Sequence, residues 1–479
     1  MIYTDQISSQ QAFPVNIYNL SNFNITTKIN LILYLIFWSI SRSQVLVVYK
    51  AHDSQKIKYL NPDLTDGGIH TAILAINGGK PVRRRPFPKW PVHDQHEVSA
   101  LTRVARSGNW SYVGPLEIEF AQKFAKFQDA AYGICTNGGT QALEVALKAT
   151  GVVAGDEVIL PALTFYASAA AVLFCNAVPV LVDVDPDTYC IDPNEVEKAI
   201  TSKTKAIMPV HLGHRMADMD RIMKIAESQG LVVVEDCAHA HGMKWKNRGA
   251  GSIGHAAGFS FQQSKTMTCG EGGIVLTNSA EVNELCHAYV NCGRFDPKFA
   301  AKPNQKPPHR ILGYNYRITE FQAAILLEQL KRIDGQIKRR ESNSSYLNRK
   351  LEKVGLLPLR RDERLTRENG YFYSFKYNKE AFNGVHRDVF VKAMNAEGIP
   401  IWGGGFIPLY RDELFFADPR YFKVSYDYSK VRCPVAEKGV QEEIVAFGHS
   451  VLLGTRKDMD DIVEAATKIA QNVDELGKR

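Results

Sequence analysis

The chain has 479 residues, 45% of them apolar and 23% charged, with a net charge of +7, enough for two or three globular domains around a sizeable core. The excess charge sits in local clusters such as "GGKPVRRRPFPKW" (78–90), and no nucleic-acid reader motif accompanies it, which argues against a nucleic-acid partner. Eight cysteines without a C-x-x-C pair read as free, buried thiols of a reducing compartment, so a cytoplasmic location is expected.

Residues 1–70 are rich in Ile, Asn, Tyr and Ser and differ from everything that follows. The apolar run Leu31 to Trp38 is far shorter than the roughly 17 residues that span a bilayer, and it sits too far from the start for a signal peptide. Asn19 and Asn24 head N-x-S/T triplets, which matter only on a secretory route. This segment reads as an N-terminal extension, disordered or a wrongly assigned start, and not as a membrane anchor.

From about residue 95 the pattern becomes regular. "LEIEFAQKFAKF" (116–127) has helical spacing and "AYGICT" reads as a buried strand. "NGGTQALEVALKATG" then supplies glycines and an amphipathic helix. "DEVILP", "VPVLVDVD", "KAIMPVH" (205–211) and "LVVVEDC" (231–237) read as further strands, with helices at "ASAAAVLFCN", 193–200 and 217–229. Such alternation marks a mostly parallel sheet covered on both faces. A Lys- and Pro-rich loop, "DPKFAAKPNQKPPHR", precedes a long helix that runs from "ITEFQAAILLEQLKRI" to about 353. Beyond it come an alternating strand, "YFYSFKY" (371–377), a helix near 386–397, a Gly-rich turn, "IWGGGF", and a closing helix from about 457. The expected organisation is a large α/β domain over 71–295, a connecting loop and helix over 296–355, and a smaller α+β domain over 356–479.

Sheets of this type bind ligands beyond the carboxyl ends of their strands. Four segments fall there. "NGGT" (137–140) could hold a phosphate on backbone N–H groups at a helix start. "LTFYAS" (163–168) offers an aromatic face at Phe165, "VVEDCAHAHG" (233–242) brings Asp236 and His239, and "FSFQQSKTMTCGEGG" (259–273) brings Ser260 and Lys265. A phosphate cradle, an aromatic plate, a buried acid and a lone lysine together suit pyridoxal phosphate, whose aldehyde a lysine binds and whose ring nitrogen an acid pairs. Burial would lower the lysine's pKa and make it a usable nucleophile and proton carrier. "GAGSIG" (249–254) is a literal G-x-G-x-x-G, but a strand, "AAGFSF", follows it where a dinucleotide site needs a helix. "HLGH" (211–214) and "HAH" (239–241) lack partners at ligand spacing, so no metal is expected.

The segments "EDCAHAHG", "FSFQQSK…GEGG" and "GYNYRITEFQAAI" (313–325) resemble the DegT/DnrJ/EryC1/StrS sugar aminotransferases, within fold type I of the pyridoxal phosphate enzymes. The likeness runs from "AINGGKPVR" (75–83) almost to the C-terminus. It implies a seven-stranded, mostly parallel sheet flanked by helices and a smaller C-terminal α+β domain. It further implies that Lys265 carries the cofactor and that Asp236 pairs the pyridine nitrogen. His239 would contact the ring hydroxyl, and Phe165 would stack on the ring. Gly139, Thr140, Gln141 and Ser260 would hold the phosphate. Asn315 would reach the phosphate of a partner subunit, which implies a homodimer with shared active sites.

"NGGKPVRRRPFPKWP" and "GGGFIPLYRDELF" (403–415) look most like the branch of scyllo-inosose aminotransferases and 3-amino-5-hydroxybenzoate synthases. The implied reaction is ping-pong transfer of an amino group from L-glutamine or L-glutamate to a keto-sugar or keto-cyclitol. An aromatising synthase and a non-catalytic regulatory protein that binds the same cofactor are the alternatives. Gln262 and Gln263 depart from the family, where an aromatic and a proline are common.

Overall fold

Seven short apolar runs pair into one sheet: β1 (Tyr132–Thr136), β2 (Glu157–Pro161), β3 (Val178–Val182), β4 (Thr204–Ile207), β5 (Val232–Asp236), β6 (Ala256–Ser260) and β7 (Gly273–Thr277). The structure is a computed structural model that describes residues 73–112, 114–294, 309, 311–413 and 426–476. The expectations for residues 1–70 and for the loop at 296–308 lie outside the described residues. The strand order is β1-β7-β6-β5-β4-β2-β3. Only β7 runs against the rest, pairing antiparallel with β1 and β6.

Helices α1 (Gln95–Ser107), α2 (Pro115–Phe127), α3 (Gly139–Ala149), α4 (Ala167–Phe174), α5 (Pro193–Ala199), α6 (Met219–Gln229) and α7 (Ala280–Val290) accompany the sheet. Alternate strand residues face opposite layers. Cys135, Ile159, Val233, Phe259 and Ile274 share one core with Phe120 and Phe124 of α2. Ile134, Val158, Leu160, Val234 and Val275 share the other with Ala142 and Ala146 of α3. Both faces are thus apolar, which is why the strands read as nearly continuous hydrophobic runs.

The long helix α8 (Glu320–Leu351) starts at a capping box formed by Thr319 and Gln322. It joins two cores: Leu326 and Ile333 pack with the large sheet, and Leu347 and Leu351 pack with a second, four-stranded sheet. That antiparallel sheet comprises β8 (Leu356–Pro358), β9 (Tyr373–Tyr377), β10 (Trp402–Gly403) and β11 (Ile444–Phe447), in the order β8-β9-β11-β10. Helices α9 (Arg387–Ala396) and α10 (Arg456–Gln471) cover it, burying Phe375, Phe390, Phe447 and Ile462 together. The strand expected at 371–377 begins two residues later. Phe372 has φ 40°, a left-handed backbone that a bulky residue rarely adopts, and it turns Tyr371 out of the strand.

Two sequence features resolve into internal packing. His211, Glu235 and Cys237 bring three potential metal ligands within 4.8 Å of one another. The Glu235 carboxylate, however, already accepts hydrogen bonds from His211 Nε2 and from the amides of Gly251, Ile253 and Gly254. The glycine motif at 249–254 therefore cradles a buried side-chain carboxylate. No helix among the described residues is long and apolar enough to cross a membrane.

Candidate active site

The carboxyl ends of β1, β5 and β6 bring the sequence-nominated residues into one region. Lys265 follows β6 by five residues, at the end of a tight turn closed by the bond from its N–H to Gln262 O (2.9 Å). The Gln262 side-chain oxygen accepts from Ser264 N (2.8 Å) and Ser264 Oγ (2.7 Å). The departure from the family pattern thus has a local structural task.

Lys265 is only 9% exposed. Burial pushes its amine down to about 8, against the upward pull of Asp236. At pH 7 about a tenth of such an amine is uncharged, against roughly 0.03% at the ordinary value. Its Nζ lies 3.4 Å from the hydroxyl of Tyr371, which burial pushes up to about 12 and so keeps protonated.

Asp236 ends β5 and is buried. Its Oδ1 accepts from Ala238 N (3.0 Å) and its Oδ2 from Ser168 Oγ (2.6 Å). Ser168 Oγ in turn lies 2.9 Å from Thr164 Oγ1. With Ser168 donating to the carboxylate, Thr164 is left to donate to Ser168, so two hydroxyls in series fix one carboxylate oxygen. Sequence reasoning did not single out Ser168 or Thr164; the only signal was a pair of hydroxyls four residues apart flanking Phe165.

His239 accepts from Gly213 N on Nδ1 (3.2 Å), so its proton sits on Nε2 and that nitrogen is a donor. Burial, then the charge of Lys265, hold the ring well below the ordinary histidine value and neutral. Its ring packs on Tyr371 at 4.3 Å. Phe165 is 45% exposed, 4.5 Å from the Tyr166 ring and 5.9 Å from Phe406.

The Asn137–Thr140 turn closes the other side. Helix α3 has Gly138 at its N-cap and no side-chain cap, so the amides of Gly139, Thr140 and Gln141 are left without intrahelical acceptors. A Cβ on Gly139 would lie 2.6 Å from Ser260 Cβ and 3.1 Å from its Oγ. Glycine is therefore what lets the Ser260 hydroxyl approach this uncapped, anion-attracting helix end. Asn315 is exposed on the loop before α8. The main-chain oxygen of its neighbour Tyr316 accepts from Asn137 N at 2.7 Å, which ties this loop to the Asn137–Thr140 turn.

The donor set fits pyridoxal phosphate: an open helix end with a hydroxyl, a buried acid whose two oxygens each spend one hydrogen bond within the chain, and a desolvated lysine without a salt bridge among the described residues. The seven-stranded sheet, with its lysine after β6, has the architecture of the fold type I transferases that use this cofactor. The chain belongs to the DegT/DnrJ/EryC1/StrS aminotransferase family, whose model matches residues 91–467. It is 39% identical to the L-glutamine:2-deoxy-scyllo-inosose aminotransferase of Streptoalloteichus tenebrarius, over 84% of this chain and 99% of the relative. It is 38% identical to the L-glutamine:scyllo-inosose aminotransferase of Streptomyces griseus, over 85% and 99%. Among solved structures, 3-amino-5-hydroxybenzoic acid synthase superposes with a TM-score of 0.72 at 34% identity, covering 81% of this chain and 99% of the other. An aminotransferase from Psychrobacter cryohalolentis gives 0.74 at 32%, covering 81% and 100%.

Proposed function

We propose that the enzyme moves the amino group of L-glutamine to a keto-cyclitol of the scyllo-inosose class, on pyridoxal phosphate. The observation that carries the chemistry is the dry lysine facing Asp236 across the ends of β5 and β6; the relatives' substrates support the choice of donor and acceptor. When bound, the cofactor supplies an electron sink for the carbon that bears the amine. Asp236 would hold a proton on the ring nitrogen, and His239 Nε2 would donate to the ring oxygen. Phe165 would cover one ring face. The amides of Gly139, Thr140 and Gln141 and the Ser260 hydroxyl would bind the phosphate, with Asn315 reaching a partner's site in a two-fold dimer.

Lys265 Nζ would take the proton from the α-carbon of the donor and return one to the carbonyl carbon of the acceptor. Tyr371 suits that cycle, because a hydroxyl can accept from the ammonium form and donate to the free amine. The test is a donor half-reaction with L-glutamine, L-glutamate or L-alanine, followed by scyllo-inosose or 2-deoxy-scyllo-inosose as acceptor. Conversion by glutamine and an aminocyclitol product support the reading. A half-reaction that discharges to neither ketone rejects the acceptor class and favours the aromatising alternative.

Two smaller effects follow from the same geometry. Gly139→Ala pushes a methyl into Ser260 and is expected to weaken cofactor retention on dialysis by about tenfold or more, since overpacking of this kind costs about 1–3 kcal/mol. Ser168→Ala removes a hydrogen bond to a charged group, worth about 1.5–3 kcal/mol, and should slow the glutamine half-reaction roughly 10–100-fold. Ser168→Thr, which keeps the hydroxyl, should recover most of that rate in stopped-flow absorbance; equal losses in the two variants would show that packing is responsible.

A further inference from the structure

The turn that carries Lys265 is held from outside its own sheet. Trp90 Nε1 donates to Gln263 O at 2.8 Å, and His449 Nε2 donates to the next carbonyl, Ser264 O, at 3.0 Å. The two rings meet edge to face, 4.5 Å apart at 85°. His449 follows β11, so this contact joins the four-stranded sheet to the lysine turn.

Behind His449 stands Arg340 of α8, with no exposed surface. Its Nη2 donates to His449 Nδ1 at 3.1 Å and its Nε to His449 O at 3.3 Å. Among the described residues no carboxylate forms an ion pair with it, and its Nη1 has no partner. Burial pushes the guanidinium down to about 9. A buried cation without a counter-ion is costly, yet this one fixes a tautomer. A donor on Nδ1 forces the His449 proton onto Nε2, where it meets Ser264 O. A second proton on His449 would face Arg340 directly, and burial with that charge holds the ring well below the ordinary value.

We infer that Arg340, His449 and Trp90 form a positioning relay that sets the Gln262–Lys265 turn, and through it the placement and basicity of the lysine, without touching substrate or cofactor. The inference rests on Lys265 being the reactive amine. Among the described residues, the groups that act on Lys265 are Asp236 on β5, His239 and His241 after it, Tyr371 before β9, and His449 with Arg340 behind it. His449 is the member of this set that both senses the arginine and bonds the lysine's neighbouring carbonyl.

The experiment titrates the visible absorbance of the holoenzyme against pH, for the wild type, H449F, H449Q and W90F, beside K265A. Cofactor content, circular dichroism and melting temperature are measured in parallel. H449F keeps an aromatic ring but no donor. It is expected to move the pH midpoint of the lysine-linked band by about half a unit or more and to slow the glutamine half-reaction about tenfold, with cofactor content unchanged. H449Q restores a donor near Nε2 and should return both readings most of the way. W90F, at a partly exposed site that tolerates it, should move both in the same direction by less.

A folded H449F with the wild-type midpoint and rate overturns the relay. If H449F does not fold, W90F decides: an unmoved midpoint and rate overturn it as well. A wild type whose spectrum matches K265A at every pH would instead reject the role of Lys265, a failure distinct from that of the relay.

Discussion

Lys265→Ala is expected to abolish turnover while leaving a folded protein that still binds pyridoxal phosphate. Proton transfer by a positioned side chain accounts for about 10²–10⁴-fold, and the same substitution also removes the amine proposed to anchor the cofactor, so a loss of ~10⁴-fold or more is expected. The cofactor should then leave on dialysis, because what remains is the helix end at Gly139, the Ser260 hydroxyl and the Asp236 carboxylate. Added alkylamines should recover part of the rate in single-turnover assays, since they replace the missing base. A variant that turns over at more than a few per cent of the wild-type rate would show that the dry amine beside Tyr371 is not the group that moves the proton.

Asp236→Asn should produce the second-largest effect, and of a different kind. The amide keeps the shape, and its oxygen can still accept from Ala238 N. Its NH₂ cannot accept from Ser168 Oγ, which would have to turn and accept instead, and the amide cannot carry the charge proposed to hold a proton on the ring nitrogen. Breaking such a buried charge pair costs about 3–5 kcal/mol, which corresponds to roughly 10²–10⁴-fold in the rate of α-proton removal. Cofactor content should fall much less, because the open helix end at Gly139, the Ser260 hydroxyl and Lys265 are untouched. The discriminating reading is kcat against bound cofactor. Near-normal kcat with full cofactor would remove Asp236 from its role, and loss of both together would make it a structural residue.

Much of this was legible in the chain because the signals are local. The apolar strands alternate with helices, the glycines at 138 and 139 open a helix, and Lys265 lies alone between a strand and a glycine cluster. The parts that were not legible are made by distance. Tyr371 reads as the first residue of an alternating strand, and only the left-handed backbone at Phe372 turns it to the lysine. Trp90, Arg340 and His449 lie far from residue 264 in sequence and converge on its turn through the packing of α8 across two cores. No periodicity encodes that. Ser168 was hidden in a run of alanines whose pattern announces only a buried helix. β7 escaped notice because it follows "GEGG" directly, so its strand signal merges with the turn. Gln262 was visible as a departure from the family, and its bonds to Ser264 explain how a polar residue closes the turn there.

The measurement that bears most directly on the central claim is the visible spectrum of the purified protein with pyridoxal phosphate, before and after L-glutamine. A band from lysine-bound cofactor, absent in Lys265→Ala, is expected, and the pyridoxamine spectrum should replace it when glutamine is added. A wild-type spectrum indistinguishable from free pyridoxal phosphate would contradict it. A lysine-dependent band that no amino acid discharges would contradict the transfer reaction and leave a protein that only binds the cofactor.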